Sequence, residues 1–222
     1  GGDDKLYGNN GNDYLVGGAG VDTYNGGTGD DVFVIENGTE VVTGLSGTTV
    51  TREAFNGDEG WDEILVTAQG PVDLSIATIA TDVEVLRAWY TTGITLSALQ
   101  LDRFAEVRVN GVINVNTTGT INMTGAVVDS AVFNLFSGGN TIDFMGVYTA
   151  RYTVNGGAGI DTINGGDALE GDILNGGGSA DTISGKGGND IINGGAGADL
   201  INGNEGDDTF VFTAVADIVA GD

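Results

Sequence analysis

The sequence predicts an all-β fold: a parallel β-roll/β-helix solenoid, with two glycine- and aspartate-rich rolls flanking a β-rich, β-helix-like central region. Three observations predict it. Aspartate recurs at every ninth residue near both ends of the chain, in a glycine-rich frame. Each nine-residue copy closes on a short segment with an apolar centre, as a strand does. Between the two ends glycine falls, while Val, Ile, Leu and Thr rise in short alternating runs.

Composition narrows the chemistry. The 222 residues hold 32 acidic and 7 basic side chains, a formal charge of -25. Such a chain repels nucleic acid and anionic lipid and attracts cations. Acidity with 41 glycines would suggest disorder, yet 40% of residues are hydrophobic, so a core is affordable and the acidity must be organised. The absence of Cys and His excludes disulfides, zinc sites and soft-metal sites. Carboxylates, carbonyls and amides remain, and these suit hard cations, calcium above all. No apolar run reaches membrane-spanning length, so no membrane insertion is expected. No signal peptide is visible and the chain opens on Gly1 in mid-repeat, as a piece of a longer protein would.

The N-terminal roll is expected over 1–34. Asp4, Asp13, Asp22 and Asp31 are spaced by nine, in GNNGNDYLV from Gly8, GGAGVDTYN from Gly17 and GGTGDDVFV from Gly26. The C-terminal roll is expected over 156–222. It reads GGAGIDTIN from Gly156, GGGSADTIS from Gly176, GKGGNDIIN from Gly185, GGAGADLIN from Gly194 and GNEGDDTFV from Gly203, and GGDALEGDILN from Gly165 carries two inserted residues. Asp161, Asp172, Asp181, Asp190, Asp199 and Asp208 mark this series. Degenerate copies follow Gly57, with Asp62, and Gly138, with Asp143.

The glycine-rich half of each copy reads as a turn and the other half as a strand burying one residue: Leu15, Tyr24, Phe33, Ile163, Ile183, Ile192, Ile201 or Phe210. Two copies make one coil of 18 residues, so turns stack at i and i+18, with strands about 4.8 Å apart. Stacked aspartates are then close like charges that need a counter-ion. A cation between two turns takes a carboxylate from each and backbone carbonyls from both. The glycines placed to offer or flank such carbonyls are Gly11, Gly18, Gly20, Gly27, Gly29, Gly157, Gly159, Gly177, Gly188, Gly195, Gly197 and Gly206. These blocks resemble the repeats-in-toxin (RTX, hemolysin-type) calcium-binding nonapeptide family. The resemblance covers 1–34 and 156–211 and implies two calcium-binding RTX rolls and type I secretion; because degenerate copies and terminal turns lack a full partner, about six calcium ions are expected rather than one per aspartate. Asp172 in the stretched copy, Asp181 with Ser179 in place of glycine, and Lys186 at a turn position depart from the pattern.

The central region, 35–155, is expected to be calcium-poor. Alternation marks strands at 64–66, 72–76, 83–86, 94–97, 107–109, 112–115, 120–123 and 132–135, with room for a helical turn between Leu96 and Val107. Leu74-Ser75, Ile79 and Glu84-Val85 recur 22 residues on as Leu96-Ser97, Leu101 and Glu106-Val107, a coil length suited to a β-helix. A compact β-sandwich between the rolls is the alternative.

No catalytic residue is expected. Without His or Cys, Ser-His and Cys-His nucleophiles cannot form. Glu53, Glu59, Glu63, Glu84 and Glu106 are candidates for a carboxylate pair, but read as solvated strand ends. Arg87, Arg103 and Arg108 would serve a calcium-dependent lyase, but in so acidic a chain they read as partners of Glu84, Glu106 or Asp102. Trp61 is expected to be exposed, as is one of Trp89 and Tyr90.

The functional expectation is a calcium-dependent structural segment of a secreted, extracellular or cell-surface protein of a Gram-negative bacterium. It resembles, in style and composition, segments of RTX-type surface-layer proteins. Expected partners are calcium, further copies or neighbouring surface subunits, and cell-surface polysaccharide. The alternative is a non-catalytic accessory module of a secreted enzyme.

Overall fold

The computed structural model describes residues 1–36, 54–89, 91, 93–129, 131–148 and 150–212. Its contacts gather into two units, Gly1–Leu96 with Arg103–Gly111, and Ser97–Asp102 with Val112–Asp222. Both are parallel β-solenoids, with the glycine- and aspartate-rich repeats toward both ends of the chain. Glu53, Tyr90 and the tail from Thr213 lie outside the described residues.

The N-terminal unit comprises β1 (Lys5–Asn10), β2 (Tyr14–Val16), β3 (Thr23–Thr28), β4 (Val32–Ile35), β5 (Ala54–Glu59), β6 (Glu63–Val66), β7 (Val72–Asp73), β8 (Thr78–Ile79), β9 (Val85–Ala88), β10 (Ile94–Leu96) and β11 (Glu106–Val109). Parallel ladders run β1-β3-β5-β8, β2-β4-β6-β9-β11 and β7-β10. Registry keeps the apolar centre of every strand on one side. Leu6, Tyr24, Phe55 and Ile79 form one inward column. Leu15, Phe33, Ile64, Leu86 and Val107 form another. The rings of Tyr24 and Phe55 stack with centroids 5.0 Å apart, and Phe33 packs against both.

The C-terminal unit comprises α1 (Ala98–Leu101), β12 (Val112–Val115), β13 (Gly119–Asn122), β14 (Val127–Val128), β15 (Val132–Asn134), β16 (Asn140–Asp143), β17 (Thr153–Gly157), β18 (Thr162–Asn164), β19 (Ile173–Gly178), β20 (Thr182–Gly187), β21 (Ile191–Ala196), β22 (Leu200–Glu205) and β23 (Thr209–Phe210). Parallel ladders run β12-β15-β17-β19-β21-β23 and β13-β16-β18-β20-β22. Inward columns are Ile113, Phe133, Val154, Leu174, Ile192 and Phe210, and Ile121, Ile142, Ile163, Ile183 and Ile201. The expected helical turn is present: α1 is closed at its start by a capping box between Ser97 and Gln100.

Three expectations need correction. Leu15 and Ile201 are half-buried and Phe210 is 42% exposed, because no further described coil covers these outer strands. The 22-residue repeat does not hold throughout: Val72 pairs with Ile94, but Val85 pairs with Glu106 and not with Val107. One coil is thus a residue shorter on that side. The strand expected at 72–76 is only Val72–Asp73.

A feature without an expectation is an asparagine ladder. Asn134 Nδ2 donates to Asn114 Oδ1 at 3.0 Å, Asn155 to Asn134 at 2.8 Å and Asn175 to Asn155 at 2.9 Å. Such ladders fix register, because a one-residue slip would turn every amide to the other face.

The core columns carry a direct prediction. Phe55→Ala removes a fully buried ring from the Tyr24–Phe33–Phe55 cluster and lowers stability by about 3–5 kcal/mol. Urea unfolding in saturating calcium measures it. A loss no larger than that of Tyr7→Ala, at an exposed position on β1, would refute the packing account.

Candidate metal centre

Turn halves stack in columns, and each column is threaded by one hydrogen bond per coil. In the N-terminal unit the Asp4 N–H donates to Asp22 Oδ1, Asp13 N–H to Asp31 Oδ1 and Asp31 N–H to Asp62 Oδ1, each at 2.8 Å. The Asp62 N–H continues to Glu84 Oε2 at 2.9 Å. In the C-terminal unit Asn140, Asp161 and Asp181 donate to Asp161, Asp181 and Asp199. In the other column Tyr152, Asp172 and Asp190 donate to Asp172, Asp190 and Asp208. Each carboxylate therefore spends Oδ1 on the backbone of the preceding coil.

The second oxygen behaves differently. Oδ2 of Asp13, Asp31, Asp62, Asp161, Asp181 and Asp190 is buried and has no hydrogen-bond partner. A buried carboxylate oxygen with no partner is costly. Burial accordingly raises the pKa of Asp31 and Asp161, and raises those of Asp62, Asp181 and Asp190 to about 6, against the lowering effect of the backbone hydrogen bond.

These oxygens face a space kept by the first glycine of each repeat. A Cβ added at Gly8 would stand 2.6 Å from Asp13 Oδ2 and 2.5 Å from the Gly26 carbonyl oxygen, one coil on. At Gly176 it would collide with Asp181 Oδ2 and the Gly194 carbonyl. Further carbonyls stack from turn to turn. Those of Gly11, Gly29, Gly157, Gly177 and Gly188 face the next coil, against the bare α-carbons of Gly29, Gly60, Gly177, Gly195 and Gly206. Gly20, Gly27 and Gly197 likewise receive the carbonyls of Gly2, Asn9 and Ser179. Gly159 packs on the Gly138–Gly139 backbone, and Gly18 takes a left-handed φ of +85°.

The donors are thus oxygen only: beside Gly8, Gly156, Gly176 and Gly185 an unpartnered carboxylate oxygen lies near a glycine carbonyl of the next coil. This fits a hard cation such as calcium. Among the described residues no group of three carboxylates converges, so the carbonyls must supply most of a ligand shell. A bound calcium would supply the positive charge that lets the buried carboxylates ionise.

Not every expected ligand stands in this arrangement. Asp143 lies on β16 outside the columns, and its Oδ1 accepts the Met145 N–H. Its neighbour Asn140 holds the column position instead, because this coil has 21 residues between Asn140 and Asp161. Asp172 spends both oxygens on the N–H groups of Tyr152 and Gly166 and has no orphaned atom. The Asp4 carboxylate is 54% exposed beside the terminal amine. Glu84 was not expected in the column; its place 22 residues after Asp62 is the available signal.

The family model of the RTX calcium-binding nonapeptide repeat matches in four copies, over residues 1–33, 153–168, 175–210 and 184–219. No curated protein and no solved structure matches the chain. The two repeat blocks are RTX calcium-binding β-roll modules, a type typical of secreted bacterial proteins.

Two predictions follow from the orphaned oxygens. Gly176→Ala places a methyl on Asp181 Oδ2, whereas Gly178→Ala in the same turn meets nothing nearer than 3.5 Å. The first should raise the midpoint of a calcium titration at least about tenfold, roughly 1.4 kcal/mol, and the second should leave it unchanged; circular dichroism reads both. The second prediction concerns pH. Asp62, Asp181 and Asp190 have folded pKa values near 6, above the unfolded value of about 3.9. Their contribution to stability is fully present below the unfolded value and is lost as pH rises through 6. In chelator the β signal should therefore be larger at acid than at neutral pH, and in calcium the trend should reverse, since metal binding releases protons. The same trend in both media would sink the assignment.

Proposed function

We propose that this chain is a calcium-dependent structural segment of a bacterial cell-surface protein, a surface-layer subunit or adhesin, in which calcium drives both folding and assembly. The observation that carries it is the repetition of one motif: a buried carboxylate oxygen without a protein partner, coil after coil in both repeat blocks. Without a cation the turns must protonate or repel. In the low calcium of a cytoplasm the blocks would remain unfolded and exportable. Outside the cell, near-millimolar calcium fills sites of roughly 10⁻⁴ M and folds the chain by linkage.

The weighed catalytic groups support a non-enzymatic role. Arg87 pairs with Glu63 at 2.8 Å, and Arg108 with Glu106 at 2.8 Å. Arg103 donates to the Ile79 carbonyl, and Glu84 accepts from Asp62. Each makes a contact within the fold; Glu63, expected as a solvated strand end, is buried instead, and its Oε1 and Arg87 Nε stay unpartnered. Exposed Trp61 and Trp89 suit contact with neighbouring subunits. The accessory-module reading shares the calcium switch and lacks the assembly.

The test is far-UV circular dichroism with light scattering during a calcium titration, with magnesium as control. A cooperative gain of β signal with calcium alone, accompanied by rising scattering, is expected. Structure without scattering would favour the accessory module. A fold complete in chelator would overturn the calcium switch.

A further inference from the structure

The C-terminal unit carries a groove of about 410 Å³ lined by Tyr148, Asp167, Lys186, Gly187, Asn204 and Glu205. These residues come from successive coils. Asp167 N–H donates to the Val147 carbonyl, Gly187 N–H to the Gly166 carbonyl, and Lys186 and Gly187 pair with Asn204 and Glu205. The groove thus runs along the stacking direction on the outer edge of the turns, with one set of side chains about every 4.8 Å.

Its chemistry is not explained by folding. Lys186 sits at φ +75°, a left-handed backbone that suits the Asn, Asp or Gly found at the equivalent turn positions and penalises a long side chain. A residue held there against its preference points to a use for its side chain. Among the described residues its ammonium makes no ion pair, although Asp167 and Glu205 line the same groove. Tyr148 is 69% exposed, and no described partner takes its hydroxyl. Asp167 uses Oδ2 to accept the Gly146 N–H, which fixes the carboxylate and leaves Oδ1 for a ligand. Gly187 keeps the floor open: a Cβ there would reach within 3.3 Å of the Asp167 carbonyl.

We propose that this groove binds a neutral polysaccharide along the solenoid axis. The ring of Tyr148 offers an apolar face for sugar C–H groups. Two carboxylates, an amide and an ammonium offer acceptors and donors for paired hydroxyls. A hexopyranose ring is comparable in length to the rise of one coil, so a linear chain meets the side chains in step. The acidic balance of the groove, two carboxylates against one ammonium, disfavours uronic or phosphorylated chains. The inference stands apart from the assembly reading, since it needs the folded roll alone.

The test uses the whole chain in saturating calcium, with isothermal titration against soluble glucan, galactan, mannan and chitin oligosaccharides, alginate as the anionic control and spermine as the cationic one. Binding of at least one neutral oligosaccharide is expected. Lys186→Gly restores the residue the turn prefers, so it should keep or raise the thermal midpoint while weakening binding at least tenfold. Tyr148→Ala should weaken it similarly with no change in the calcium midpoint. Undiminished binding in Lys186→Gly, binding to alginate or spermine alone, or no binding to any neutral sugar would each overturn the proposal.

Discussion

Everything in the repeat blocks depends on how one aspartate divides its two oxygens. Oδ1 accepts the N–H of the residue one coil earlier, so it joins neighbouring turns without any ion. Oδ2 is buried with no partner in five such aspartates, Asp31, Asp62, Asp161, Asp181 and Asp190. The first bond sets the stacking geometry, and the second oxygen makes that geometry unfavourable until a cation arrives. A turn built this way is preorganised in shape and incomplete in charge. That combination lets an external ion concentration control folding, because an ion that binds only the stacked state shifts the equilibrium toward it.

The nine-residue phase made this legible from sequence, because one aspartate per turn and one apolar residue per strand are both consequences of the coil. What the text could not separate was the work of its glycines. Gly27 takes a φ of +106°, which the composition of a turn suggests. Gly26, one residue earlier, takes no such angle; it is bare because Asp31 Oδ2 occupies the place of its Cβ. The first requirement is conformational and the second is spatial, and both are written with the same letter. Non-glycine residues at Asn9, Asp58 and Asn204 show that the conformational requirement admits substitutes.

Away from the blocks the nine-residue phase breaks. Asp143 matched a counted spacing of two nine-residue repeats, but the coil there has 21 residues, which moves Asn140 into the column. Glu84 joined a column of aspartates because its longer side chain reaches the Asp62 N–H. The asparagines at 114, 134, 155 and 175 were equally visible, yet their steps vary between 20 and 21. A solenoid conserves the stacking of side chains and not the length of the coil between them. Fixed-period counting therefore succeeds only where every coil is the same length.

The same logic separates the coils by what they need. Where the ladder member is Asn140, an amide donates to the Thr117 carbonyl and accepts from the Phe136 N–H, and no charge is buried. At Asp172 the Gly166 N–H supplies a second donor, so both carboxylate oxygens are hydrogen-bonded, although burial still raises the pKa to about 6. Neither coil leaves a ladder oxygen without a hydrogen bond. Coils with Asp161, Asp181 and Asp190 do, because their second oxygens find only neighbouring carbonyls. Dependence on a cation is thus graded along one continuous backbone pattern. It is set in part by whether each turn supplies a second donor to its carboxylate, as the Gly166 N–H does for Asp172.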